Sequence, residues 1–308
     1  LDYLLANYTD KLNKAVLLVT YDRYSEAVNR NLEKLKDYFY VAGPSEVGKL
    51  AEIDDKYTMG RLAVECGINI PTTYLYPQNT IEEVSCYPAV VKSNTPTTKD
   101  IKFLVVKNKK ELLSTSKSFF SGKSYVIQQY IQKEADGLIY GCRTWDGKTL
   151  LAGICVRNRW SDDGCGSFGY ITPDIPHTIN VKGIEVFLEK IDFRGLFSVE
   201  YALTEDSAYF YEFNLRNDGT SVLFYNAGSN IALAYVNSCF GIKEEVPTTV
   251  NGKQYLMNEF WDRYNVNDGV ISKRQWLDDK KKATLFFYYD PDDMMPFEVQ
   301  KSLGTKRN

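Results

Sequence analysis

The stretch Gly195–Ser221, GLFSVEYALTEDSAYFYEFNLRNDGTS, decides how this chain folds. Leu196–Leu203 and Ala208–Phe213 are rich in aromatic and β-branched residues, which suit a half-buried pleated surface. The polar Thr204–Ser207 between them predicts a hairpin turn. Two carboxylates interrupt these apolar runs: Glu200 near the middle of the first strand and Glu212 at the end of the second. Asn214 follows Glu212 by two, so both side chains share one face of an extended chain. Antiparallel pairing brings Glu200 beside them. Three oxygen donors then converge, and clustered carboxylates repel unless something positive lies between them. A hard divalent cation such as Mg²⁺ meets that need, because it takes oxygen ligands and shares them with substrate phosphates. Arg216, two residues further on, reaches an anion beside the metal. The same alternation also describes a plain amphipathic hairpin with both glutamates on its wet face.

Composition narrows the field around this hairpin. The 308 residues suffice for two or three domains, and 44% apolar with 25% charged is ordinary for a water-soluble globular chain. A net charge of −3 leaves no electrostatic footprint for nucleic acid. No apolar run approaches the ~20 residues that span a bilayer. Six cysteines at irregular spacing, without a C-x-x-C pair, predict reduced thiols and a cytoplasmic protein. A single histidine, His177, argues against a His-based zinc site or a Ser-His-Asp triad. The chain opens at Leu1 with no signal-like segment, and is expected to begin inside a domain.

Lys14–Val19 predicts a buried parallel strand, residues 22–37 a helix and Tyr38–Val41 a second strand: one βαβ unit. Asp54 and Asp55 cap a helix running to Cys66, where Gly67 ends it. Tyr87–Lys92 is an apolar strand closed by a lysine, and a partly buried ammonium calls for an anion such as phosphate. Tyr125–Ile131, YVIQQYI, predicts another strand. Leu138–Arg143 and Thr149–Cys155 flank the strong hairpin turn Asp146-Gly147. Arg157 and Arg159 end the second of these, before a loop, Ser161–Gly169, with three glycines. Two arginines beside a glycine-rich loop suit an anionic acceptor. Residues 180–191 predict an amphipathic helix with Ile184, Phe187, Leu188 and Ile191 on one face. The tail, 246–308, carries a strand-like run Ala283–Tyr289 before DPDDMMPF, and its aromatic content argues for packing onto the body of the protein.

E-x-N-x-R at a strand end, preceded by a glutamate on the neighbouring strand, resembles the metal-binding hairpin of ATP-grasp enzymes. D-K-x(3)-G-R-x-A-x(3)-G-I-x-I-P-x-T at residues 55–73 is similar to that family's entry segment, Y-P-x-x-x-K at 87–92 to its phosphate-binding strand, and residues 125–131 to its hinge. The resemblance covers about residues 10–245. It implies an ATP-grasp fold of mixed α+β and α/β character, preceded by the end of a Rossmann-like domain. The boundaries are then 1–71 for the Rossmann-like part, 72–132 for the lid, 133–245 for the metal-bearing subdomain and 246–308 for the extension. It further implies ATP and two Mg²⁺ ions, with Mn²⁺ as a substitute. Glu200, Glu212 and Asn214 hold the metals, and Lys56 and Lys92 hold the phosphates. Gln128, Gln129, Tyr130 and Ile131 meet the adenine, and Glu134 or Asp136 the ribose. Arg216 and Arg157 face the reacting group. Ser93–Lys102, SNTPTTKDIK, stands where relatives carry a glycine-rich flap; it has no glycine, leaving hydroxyls and Lys99 to cover phosphates.

The opening segment, the D-K helix and the tail are most similar to the D-aspartate ligase-like branch of carboxylate–amine ligases. That branch implies ATP-driven joining of a small carboxylate, such as D-aspartate, to an amine acceptor on a peptide or the cell envelope. Related enzymes are often dimers, so a homodimer is a compatible assembly. Two other readings stand beside this one. The first is a nucleotide-binding protein of the same fold without ligase activity. The second is phosphotransfer or carboxylation on that fold.

Overall fold

The computed structural model describes residues 1–8, 10–94, 103–119, 124–161 and 164–303. Lys99 and most of the expected flap lie outside them, as do Asp162 and Asp163.

Near the start, β1 (Ala15–Leu17) and β2 (Phe39–Val41) pair in parallel, the expected βαβ arrangement. The single helix expected over 22–37 is instead two, Asp22–Arg30 and Leu32–Leu35. They break at Asn31, whose side-chain amide donates to the Ala27 carbonyl at 2.9 Å. A short polar side chain that bonds nearby backbone in this way competes with helix continuation. Val28, Leu32, Leu35, Phe39 and Val41 close a small core. The two-residue strand β3 (Gly43–Pro44) then ties this unit to the large sheet.

A second sheet comprises β4 (Thr73–Tyr76), β5 (Ala89–Ser93), β6 (Leu104–Val106) and β7 (Tyr125–Gln129) in the order β4-β7-β5-β6, all antiparallel. The helix Lys109–Phe119 covers it with Leu112, against Val91, Val106 and Ile127.

The remaining strands are β8 (Ala135–Arg143), β9 (Thr149–Trp160), β10 (Gly166–Thr172), β11 (Phe193–Leu203), β12 (Ala208–Asn214), β13 (Gln254–Met257) and β14 (Ala283–Phe286). They lie in the order β12-β11-β8-β9-β10-β13-β14, with β3 added at β11. Strand alternation gives this sheet two faces. Ile139, Ile154, Val199 and Phe213 point to the helices Lys56–Glu65 and Val181–Lys190, meeting Met59, Ala63, Ile184 and Phe187. Leu138, Tyr140, Cys155 and Leu196 point the other way, to the helices Ser221–Asn226 and Ile231–Cys239. Each large side chain fully buried here contributes about 1.5–3 kcal/mol, so this sheet carries most of the apolar stabilisation.

Two expectations need correction. Strand β9 continues to Trp160, so Arg157 and Arg159 lie within it rather than at its end. Strand β10 begins at Gly166, which shortens the glycine-rich loop. The added pairing follows from β10 itself, whose Phe168 and Ile171 are buried. The tail packs onto the body by extending the sheet: β13 pairs antiparallel to β10, and β14 parallel to β13. The buried Glu259 fixes the turn after β14, accepting from the backbone N–H groups of Phe287, Tyr288 and Tyr289 at 3.2, 3.1 and 2.7 Å. Cys66, Cys86, Cys142, Cys155 and Cys239 are free thiols. No helix among the described residues is long and apolar enough to cross a membrane.

Candidate active site

The β11–β12 register sets Glu200 opposite Glu212 and Ser198 opposite Asn214. Asn214 Nδ2 lies 3.3 Å from Glu200 Oε1 and 3.2 Å from Ser198 Oγ. The three expected donors therefore do converge. The pairing then steps from Glu200↔Glu212 to Tyr201↔Phe210, which leaves Tyr211 as the extra residue of a bulge. Bulges re-aim side chains. This one sets the Tyr211 ring 5.6 Å from Lys92 Nζ and 6.0 Å from Lys133 Nζ.

Each carboxylate has a cation beside it. Arg157 Nη2 is 3.4 Å from Glu200 Oε2, and Lys56 Nζ is 3.6 Å from Glu212 Oε1. Burial pushes the Glu200 carboxyl above its ordinary range; Arg157 opposes this, while Glu212, Asp218 and Asp136 add to it. Among the described residues no group of three or more His, Cys, Asp or Glu gathers for a metal. The donor set is two carboxylates and an amide, the hard oxygen chemistry that suits Mg²⁺ completed by phosphate oxygens. As oriented, Asn214 donates its NH₂ to Glu200, and its Oδ1 accepts from Arg216 Nη2 at 3.1 Å. Ligation through Oδ1 requires the amide to turn.

Lys56 opens the helix capped by Asp55, whose carboxylate accepts from Thr58 N at 2.9 Å. Asn94, at the end of β5, binds this helix start three ways. It donates to Asp55 Oδ1 at 3.0 Å, accepts from Tyr57 N at 3.0 Å, and its carbonyl accepts from Lys56 N at 3.0 Å. That clamp brings Lys92, on β5, toward Lys56. Burial first, and then Lys56, push the Lys92 ammonium down to about 8, with Glu212 offsetting part of this. Lys92 has no ion-pair partner among the described residues. Two ammonium groups held together favour an anion between them.

Residues 125–131 show a mixed outcome. Gln128 turns its amide to Thr73 Oγ1 at 2.9 Å, across the sheet. The N–H groups of Gln129 and Tyr130 donate to the carbonyls of Thr72 and Pro88, at 2.8 and 2.9 Å. These two amides are therefore not available to read a base. Ile131 is buried beside them. Asp136 is buried too, and both of its oxygens are used: Lys133 Nζ lies 2.6 Å from Oδ1, and Trp160 Nε1 donates to Oδ2. Glu134 has an exposed side chain, so it is the more open acceptor of the two considered for a sugar hydroxyl.

Arg157 and Arg159 part company. Arg157 keeps Nε buried with no hydrogen-bond partner among the described residues, an orphan donor of the kind that takes a ligand oxygen. A Cβ at Gly166 would lie 2.2 Å from Arg157 Cδ, so only glycine lets β10 begin against that side chain. Arg159 is instead consumed by the tail. Its Nε and Nη2 each lie 2.7 Å from an oxygen of Asp262, and Nη1 lies 2.9 Å from Asp279. Asp262 is 0% exposed and also accepts from Ser167 Oγ at 2.7 Å. Arg159 is a docking residue, not an acceptor contact.

Arg216 forms a bidentate pair with Asp22, with Nη2 3.0 Å from Oδ2, and also stands 3.8 Å from Asp218. Sequence reasoning missed Asp22, Asn94, Lys133, Trp160 and Tyr211. Only Tyr211 carried a signal, as the aromatic neighbour of Glu212.

No family model matches the sequence, and no curated protein matches it either. Solved structures do. An ADP complex of an N5-carboxyaminoimidazole ribonucleotide synthetase superposes with a TM-score of 0.65 at 15% identity, over 86% of this chain and 72% of that one. The synthetase from Staphylococcus aureus, complexed with ADP, gives 0.62 at 14% identity, over 82% and 69%. The biotin carboxylase domain of 2-oxoglutarate carboxylase from Hydrogenobacter thermophilus, with MgADP and bicarbonate, gives 0.63 at 15% identity, over 82% and 59%. The chain thus spans 59% to 72% of the length of these proteins. At these identities the likeness establishes the fold alone, and that fold is the ATP-grasp.

Proposed function

We propose that this protein is an ATP- and Mg²⁺-dependent carboxylate–amine ligase, forming an amide bond with release of ADP and phosphate. One observation carries the reading. Lys56, Lys92 and Arg157 gather around Glu200, Glu212 and Asn214, so cations for phosphate and oxygen donors for a metal lie side by side. The neighbours solved with ADP or MgADP support it.

A carboxylate is a poor electrophile because its leaving group would be oxide. Accepting the γ-phosphoryl group of ATP turns it into an acyl phosphate. Bound Mg²⁺ supplies charge neutralisation on the phosphates. Lys56 and Lys92 add fixed positive charge there, where burial strengthens it. The Tyr211 ring walls the nucleotide side, between Lys92 and Lys133. The acceptor amine attacks the acyl carbon, the carbonyl becomes an oxyanion, and phosphate departs. Arg157, with its orphan Nε, and Arg216 stabilise the charge that develops. Acyl phosphates hydrolyse, so closure of the residue 72–132 lid over the site keeps water out. No protein nucleophile is required.

Within this class, joining an amino acid such as D-aspartate to a peptide or cell-envelope amine is the finer proposal, supported by the opening segment, the D-K helix and the tail alone. Carboxylation is the second reading, favoured by the likeness to the biotin carboxylase domain solved with bicarbonate. The irregular spacing of the six cysteines, without a C-x-x-C pair, supports a cytoplasmic setting. The test is phosphate release from ATP with Mg²⁺ against a panel of amino acids, bicarbonate and amine acceptors. Release that needs both an acid and an amine establishes the ligase. Release with bicarbonate alone moves the assignment to carboxylation. No release with any member sinks both.

A further inference from the structure

We infer that Asp22, in the first unit of the chain, is a positioning residue for the metal-bearing end of β12, acting through Arg216 on Asn214. The inference rests on the metal assignment made above and names a residue that this assignment did not include.

Asp22 opens the helix Asp22–Arg30, 194 positions before Arg216. Its two carboxylate oxygens take Nε and Nη2 of Arg216. The same Nη2 lies 3.1 Å from Asn214 Oδ1. The guanidinium is planar and rigid, so fixing one edge fixes where the shared nitrogen stands. The backbone repeats the connection: Asn217 N donates to Val19 O at 3.0 Å, just before the helix. The helix itself is held firmly. Asn29 donates to the carbonyls of Pro44 and Glu46 at 3.1 and 3.0 Å, and accepts from Leu50 N at 3.1 Å. Asp22, Glu26 and Asp54 border one small cavity; Arg216 offsets Asp22, Arg30 pairs with Glu26, and Lys56 acts on Asp54.

Stability alone gives little reason for the pair. The Asp22 side chain is 51% exposed, and an ion pair with one end in water adds little to stability. Its consequence lies in orientation. Without Asp22 the fork of Arg216 falls toward Asp218, and Asn214 loses the donor that holds its amide. Partners that orient a metal ligand typically change metal affinity by about 10–100-fold when removed.

The experiment measures Mg·ADP binding by calorimetry, with and without Mg²⁺, in wild type, Asp22→Asn, Asp22→Glu, Arg216→Lys and the Asp22→Asn/Arg216→Lys double variant. The expected result is a loss of about tenfold in the Mg²⁺-dependent part of ADP affinity for Asp22→Asn, with metal-free ADP affinity and melting temperature unchanged. Asp22→Glu should recover most of it, and the double variant should bind no worse than Arg216→Lys. Equal loss with and without Mg²⁺ means a merely structural residue and overturns the inference, as does wild-type behaviour of Asp22→Asn. Those outcomes leave the ligase reading standing. A wild-type chain that binds no ADP under either condition removes both.

Discussion

Glu200 stands directly opposite Glu212 in the β11–β12 ladder, with Arg157 3.4 Å from the first and Lys56 3.6 Å from the second. Like charges so placed in an antiparallel pair oppose sheet formation, and Lys56 and Arg157 offset this only partly. The pair is tolerated in a sheet held by buried neighbours such as Phe197, Val199, Tyr201, Phe210 and Phe213, and it is useful where a further positive charge arrives from outside.

Glu212→Gln should leave the fold intact and lower ATP turnover by about 10²–10³-fold, the scale seen when one preorganised electrostatic contact is lost. Its ion pair with Lys56 is partly exposed and adds little to stability. Steady-state phosphate release and a melting curve check both halves. Normal turnover in this variant removes Glu212 from the metal set.

Lys92 should make ATP binding pH-dependent. Its ammonium, pushed down to about 8 by burial and Lys56, loses its proton as pH rises through that value, and ATP affinity should fall above it. Lys92→Arg, charged throughout, should bind with no such fall. Lys92→Ala should weaken ATP binding by about 10–100-fold, the equivalent of one charge-assisted hydrogen bond. Calorimetric titrations between pH 7 and 9.5 give the answer.

The same shift has a stability consequence. Between about 8 and the ordinary 10.5, the unfolded chain binds more protons at this lysine than the folded one does. Its contribution to stability therefore rises with pH across that window, and below it the buried charge carries its full cost. Lys92→Met should raise the melting temperature of the nucleotide-free protein at pH 7. The gain should shrink as pH approaches 10.

Gly166→Ala should lower turnover by at least about tenfold. A methyl 2.2 Å from Arg157 Cδ must displace that side chain or the strand start, at a cost of about 1–3 kcal/mol for overpacking. Denaturant unfolding and phosphate release, measured on the same preparation, separate the two effects. Turnover equal to wild type would show that Arg157 has no part in the chemistry.

Asp262→Ala should destabilise by about 1–3 kcal/mol, because it takes the bidentate partner from the buried Arg159 guanidinium and leaves it only the Asp279 contact. Chemical denaturation reads this directly. Nucleotide affinity of the molecules still folded should match wild type, since Arg159 serves the tail and not the phosphate site.

Sequence alone was enough for whatever depends on near neighbours in the chain. Glu212 and Asn214 share a face because strand side chains repeat every two residues. Asp55 caps its helix, and Gly67 and Gly147 take the positive φ their turns require. Ile184, Phe187 and Leu188 form one stripe for the same local reason. Tertiary structure decided what depends on register and on distant partners. Arg157 and Arg159 look alike in sequence, yet one meets Glu200 across the sheet and the other meets Asp262 from the tail. Tyr211 turns toward the lysines only because β12 carries one residue more than β11 at that point. Asp22 and Arg216 meet after 194 residues. Periodicity encodes the direction of a side chain relative to its own backbone; which group stands opposite is set when sheets and helices pack, and no local pattern carries that information.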